Sequence, residues 1–379
     1  MARLRFVHTA DWHLGAGFGT LPEDVAEVRR RQQRESIGSI VQCAVAPATR
    51  ADLFLVAGDI FDTPRPDPSA VAFFESQLRC LAEAGVQVFM VPGTSGHDAY
   101  RANGIWERTE LYGAHLFRDP VFTSKIPVGF DDLAVWGIAC DPSRPDENLL
   151  ATAAGLDASP HSIGLYHGGL SGGFEGETER GNTCSRDDIE RAPFRYLALG
   201  HYHRLNTVFD APEKKAFYPG SPTAVSSSFS ELGKRYAVAG ELSGSGDLAV
   251  SPLELLPSFG IHEAKTLDAT RLSLSEINEQ LREWADPNTF MTVSLIGIVP
   301  PEIMAEARQL EQQHRNNYGY LRLSLDFNDL SGAEENEYLR LFREHARKAI
   351  EEAEDEGGKA LLREGLMLGT EALLHRGRR

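Results

Sequence analysis

Five apolar runs of strand length each end in, or within a few residues of, an aspartate or a histidine. They are LRFVHTA at 4–10, before Asp11 and His13; DLFLVAGD at 52–59, ending in Asp59; VQVFMVPG at 86–93, before His97; SIGLYHGG at 162–169, around His167; and YLALGHYH at 196–203, with His201 and His203. Runs this short and continuous suit strands buried on both faces, as in a parallel sheet covered by helices. The stretches between them supply the helices. Residues 22–46 place Val25, Val28, Ile37, Ile40, Val41 and Ala44 at roughly helical spacing, and Asp67 and Pro68 suit the cap and first turn of a second helix that ends at Gly85. The alternation predicts an α/β layered fold with a largely parallel core. In such a sheet the loops beyond the carboxyl ends of the strands converge on one crevice, so the five tips are expected to meet.

Together the tips offer carboxylates and imidazoles, a mixed oxygen and nitrogen donor set that suits divalent ions such as manganese, iron or zinc. Two such ions about 3.5–4 Å apart, sharing an aspartate, can activate a water and clamp both the attacking and the leaving oxygen of a phosphoryl displacement.

The order of motifs, Asp11 with His13, GDIFD at 58–62, GTSGHD at 93–98, His167 and GHYH at 200–203, resembles the calcineurin-like metallophosphoesterase superfamily. Longer strings, HTADWHLG, LFLVAGDIFDTPRPDP, ALGHYHR and YPGSPT, narrow the resemblance to SbcD-like and YhaO-like DNA repair nucleases over residues 4 to about 240. The resemblance implies a layered β-sandwich flanked by helices, with a small two-stranded α/β capping domain and a C-terminal helical pair behind it. The corresponding domains are 1–258, 259–331 and 332–379, the last as a docking element for an ATPase partner. It also implies two divalent ions, manganese before magnesium, iron or zinc. Asp11, His13 and His203 are then ligands of the first, Asp59 bridges, His167 and His201 hold the second, and His97 acts on the transition state or the leaving oxygen.

One motif departs from the family. Where the family has an asparagine directly before the histidine, this chain has Thr94, Ser95 and Gly96 between Gly93 and His97. The candidate substitutes are a hydroxyl from Ser95 or Thr94, a water, or the Asp98 carboxylate; a hydroxyl is a poorer donor than an amide oxygen, so the second site is expected to be the weaker one.

The implied activity is metal-dependent DNA exonuclease or endonuclease cleavage alongside an SbcC-like coiled-coil ATPase, with a homodimer left open. The rival readings are a small-nucleotide phosphodiesterase and a DNA- or partner-binding subunit with weakened chemistry. A net charge of -17 argues against coating nucleic acid by charge alone, though bound metal or a partner can supply a local positive field. No run approaches the length of a membrane span, the opening lacks a signal peptide's apolar region, and the four cysteines form no C-x-x-C. A cytoplasmic protein without membrane contact is expected.

Overall fold

The computed structural model describes residues 3–93, 105, 109–141, 144, 146–159, 161–174, 181–226, 231–256, 261–269, 272–297, 301–327, 337–353 and 355–376. The chain divides into two compact units, Met1–Ile261 and His262–Arg379.

The first unit is built on two six-stranded sheets. One contains β1 (Leu4–Thr9), β2 (Leu53–Ala57), β3 (Gln87–Val91) and β4 (His115–Leu116), all parallel, and is completed beyond β1 by the antiparallel hairpin of β11 (Tyr236–Leu242) and β12 (Leu248–Glu254). The other runs β5 (Thr123–Lys125), β6 (Val135–Gly137), β7 (Ile163–His167), β8 (Tyr196–Gly200), β10 (Lys215–Tyr218) and β9 (Asn206–Asp210), parallel except at its two edges.

Successive side chains on a strand point to opposite faces, and here both faces are apolar. Phe6, Leu53, Leu55 and Phe89 meet Val135, Leu165, Tyr196 and Phe217 between the sheets. Their neighbours Val7, Phe54, Val56 and Met90 face outward onto α1 (Glu23–Val45) and α2 (Pro68–Glu83). On the far side Tyr166, Leu197 and Leu199 pack on the 3-10 turn Leu149–Gly155 and α3 (Arg186–Arg191). The result is the expected layered sandwich flanked by helices. The predicted cap is also present: Asp67 accepts from the backbone N–H groups of Ser69 and Ala70, with Pro68 at the first turn.

His8 bridges the two sheets, its Nδ1 2.9 Å from the Tyr196 hydroxyl. Burial, only partly offset by the backbone of Leu199, pushes its pKa down to about 3. The unfolded chain, with an ordinary histidine near 6.5, therefore binds a proton that the native chain refuses as pH falls from about 6.5 towards 3, and stability is lost across that window. Thermal melting should accordingly fall more steeply between about pH 6.5 and 4 in the wild-type chain than in His8→Gln. Parallel slopes would show that His8 is not the group responsible.

The second unit holds β13 (Ile261–Asp268), β14 (Thr289–Gly297) and β15 (Tyr320–Phe327) in one sheet, with α4 (Leu274–Glu283) and α5 (Pro301–His314). The unit is α/β as expected, with a β14–α5–β15 crossover, but its sheet has three strands rather than two. The polar and charged run of β13 leaves only His262 and Leu267 buried, too few for an apolar signal. After it come α6 (Glu337–Glu352) and α7 (Glu356–Arg376). The break between them precedes Gly357 and Gly358, because Asp355 caps α7 by accepting the Gly358 N–H at 2.7 Å. Among the described residues no helix is long and apolar enough to cross a membrane.

Candidate metal centre

The turns after β1 and β2 continue the sheet's pairing past its end. Asp11, His13 and Leu14 donate backbone N–H bonds to the carbonyls of Gly58, Asp59 and Ile60 at 3.0, 2.9 and 2.9 Å. These bonds hold side chains in a backbone shape that L-residues avoid. Asp11, His13 and Asp59 have φ of 53°, 47° and 47°, and His201 has 127°. Such conformations cost on the order of 1–3 kcal/mol each and persist only where the surroundings impose them. Helix α1 contributes to that constraint, since the buried Gln33 amide donates to the Trp12 and His13 carbonyls, both at 3.0 Å.

Glycines make room for the acids and imidazoles. A Cβ on Gly93 would stand 1.8 Å from Asp59 Oδ1, and one on Gly58, whose φ is +89°, would stand 2.3 Å from His167 Nδ1. Neither position tolerates alanine: the added carbon would also stand 2.3 Å from the Asp59 backbone nitrogen at Gly93 and 2.9 Å from the Gly93 Cα at Gly58, so backbone as well as side chain would have to move.

Two trios result, Asp11 with His13 and His203, and Asp11 with Asp59 and His167, each with donor atoms within 4.8 Å of one another. Asp59 Oδ2 faces His13 Nε2 at 3.8 Å and His167 Nε2 at 3.6 Å, so this one oxygen stands between two imidazoles. His13 Nε2 and His203 Nε2 are 3.0 Å apart. Each of the three rings has its other nitrogen against a protein oxygen: His13 Nδ1 is 3.1 Å from Asp62 Oδ1, His167 Nδ1 is 2.8 Å from the Ala57 carbonyl, and His203 Nδ1 is 2.5 Å from Glu231 Oε1. This arrangement fits divalent metal. Nitrogens about 2.0–2.1 Å from one ion at a right angle are themselves about 3 Å apart, and two buried carboxylates side by side are costly unless a cation compensates them.

Of the predicted residues, Asp11, His13, Asp59, His167 and His203 are brought together. The ring of His201 lies edge-on to that of His167, with centroids 5.7 Å apart, outside both trios; its backbone N–H donates to both Asp11 carboxylate oxygens at 3.1 Å. His97 and Ser95 lie outside the described residues, as do Thr94, Gly96 and Asp98.

The sequence matches the Calcineurin-like phosphoesterase family over residues 4–205. The chain belongs to that family. Among curated proteins it is 27% identical over 297 residues to the metallophosphoesterase YhaO of Bacillus subtilis strain 168, covering 75% of this chain and 70% of that one. It is 28% identical over 344 residues to the SbcD component of nuclease SbcCD from the same organism, covering 82% of each chain. The SbcD component of nuclease SbcCD from Staphylococcus epidermidis is 25% identical over 258 residues, covering 60% of this chain and 63% of that one.

In this phosphoesterase chain a second group of residues, invisible to motif reading, sits behind the trios. Glu231 meets His203 and is itself paired with Arg235, whose Nη1 also donates to the His203 carbonyl at 2.9 Å. Burial opposes charge on both His203 and Glu231, but each outweighs that cost for the other. The result is a His203 lifted to about 9 and a Glu231 carboxyl held below the usual range, with Arg235 assisting. Arg29 is also turned inward. It is buried and donates to the Ala224 carbonyl at 2.7 Å, which removes it from the basic helix face that Arg30, Arg31 and Arg34 would offer a phosphate backbone.

Proposed function

We propose that this phosphoesterase is a metal-dependent DNA nuclease subunit that hydrolyses phosphodiester bonds in DNA repair, in company with a coiled-coil ATPase of the SbcC type. The observation that carries the metal reading is Asp59 Oδ2 standing between His13 and His167, with Asp11 common to both donor trios. Support for a nuclease over a compact small-nucleotide enzyme comes from the 82% of both chains spanned by the likeness to the Bacillus subtilis SbcD component, well past the 4–205 of the family match. On this reading residues 1–258 are the nuclease domain, 259–331 the small α/β domain named as a capping domain, and 332–379 the segment that docks the partner.

We assign one manganese to Asp11, His13, Asp59 and His203 and the other to Asp59, His167 and His201. When bound, such a pair supplies Lewis-acid stabilisation and an activated water. The chain's own contribution is to hold the carboxylates and imidazoles in a fixed constellation at the sheet's carboxyl end. His97 is proposed to steady the displaced oxygen or deliver its proton. The free state of all four cysteines suits a reducing cytoplasm.

The test is incubation of purified protein and manganese with labelled duplex DNA, beside bis-p-nitrophenyl phosphate. Cleavage of both supports the proposal. Hydrolysis of the small ester alone would favour a small-nucleotide phosphodiesterase, and hydrolysis of neither a subunit that only positions DNA or its partner.

A further inference from the structure

His203 is held from behind by a side chain that no motif contains. Its Nε2 faces His13 Nε2 at 3.0 Å, while its Nδ1 lies 2.5 Å from Oε1 of Glu231, 28 residues further along the chain. We propose that Glu231 is a positioning residue for the metal centre, fixing the His203 ring so that Nε2 presents its lone pair to the ion, with Arg235 holding Glu231 in place. This inference rests on the metal-centre reading above.

A neutral imidazole carries one N–H, and an acceptor beside Nδ1 keeps the hydrogen there and leaves Nε2 free to ligate. Carboxylate partners of this kind also raise the basicity of the ligating nitrogen. A lone buried carboxylate would be driven towards its neutral form. Glu231, 1% exposed, is not alone: besides His203 it faces Arg235, whose Nη1 lies 3.4 Å from Oε2 and whose Nη2 donates to the Glu231 carbonyl. The same guanidinium donates to the His203 carbonyl at 2.9 Å and to Ser221 Oγ at 3.2 Å. Arg235 therefore grips both the backbone of His203 and the carboxylate that orients its ring. Asp62 stands in the corresponding place behind His13, but its side chain is 34% exposed against 2% for Glu231, so Glu231 is the partner whose position packing dictates.

The competing explanation is a purely structural ion pair that fastens residues 231–235 to the core. It would cost melting temperature when broken and leave metal affinity alone. Glu231→Asp separates the two, because it preserves the buried charge that Arg235 needs but shortens the reach to His203 by one methylene; Glu231→Gln keeps the reach and an acceptor oxygen. Manganese titration by calorimetry on the full chain should show one binding step weakened by about 10–100-fold in Glu231→Asp, the usual cost of losing such a partner, with Glu231→Gln recovering part of it and circular dichroism unchanged. Wild-type affinity in both folded variants overturns the proposal.

A measurement on the unaltered chain covers the case in which neither variant folds. In the zinc-loaded protein the ¹⁵N–¹H correlation of the His203 ring, assigned by its loss in His203→Ala, should place the hydrogen on Nδ1, and a hydrogen on Nε2 overturns the assignment. A wild-type chain that takes up neither manganese nor zinc would sink the metal-centre reading itself, and the role of Glu231 with it.

Discussion

Asp59→Asn should leave a folded chain with almost no manganese-dependent hydrolysis of DNA or of bis-p-nitrophenyl phosphate. The Asp59 carboxylate faces two imidazoles that belong to different donor trios, so neutralising it removes charge from both sides of the centre at once. Loss of an outer partner of a metal ligand already costs about 10–100-fold, which puts a floor of about 100-fold under the loss of a shared ligand. The fold should survive, because Asp59 sits past the end of β2 at the edge of the core. An amide is also isosteric with the carboxylate beside Gly93, where nothing larger than glycine fits. The checks are turnover and circular dichroism on the same preparation. Near-normal turnover would remove Asp59 from the centre and dismantle the assignment built around it.

The ligand-type residues were legible in the sequence because their signal is local. Each stands at or just past the end of an apolar run, and the sheet's geometry does the rest by bringing strand ends together. What stayed hidden depends on contacts between distant segments. Glu231 lies in the polar string SSSFSELGKR, where nothing distinguishes it from a solvated acid, and only the folded chain shows it against His203. Arg29 and Gln33 read as part of a polar helix face, yet they are buried, one donating to the Ala224 carbonyl and the other to those of Trp12 and His13. A helix that braces functional loops spends polar residues on its inner face, and hydrophobic periodicity then underestimates how wide that face is. The strand β13 and the capping of α7 by Asp355 were missed for related reasons: one buries too little to show a period, and the other is decided by a single side-chain hydrogen bond rather than by the two glycines that follow it.

Truncation after Ser331 should abolish co-purification with the proposed coiled-coil ATPase partner while leaving hydrolysis of a small ester intact. The cut removes α6 and α7, which pack on each other; a Cβ on Gly369 would stand 2.2 Å from Phe342 Cζ, so the glycine is what admits the ring. With Leu366 buried, α7 still exposes Leu361 and Leu368, at 70% and 56%, and seven residues apart they lie on one face. Two exposed leucines at that spacing are what a helix offers to a groove or to another helix. The rest of the second unit does not need the pair for its core. Leu267, Ile277, Leu281, Met291, Val293, Leu310 and Leu321 form a cluster to which, among the described residues, none beyond Leu323 contributes. The truncated chain should therefore keep its fold, and the candidate metal ligands all precede the cut. Leu361→Glu with Leu368→Glu in the full-length chain should weaken the complex in the same direction without shortening anything. If the complex survives both the truncation and the double substitution, the partner binds elsewhere and the helical pair has another purpose.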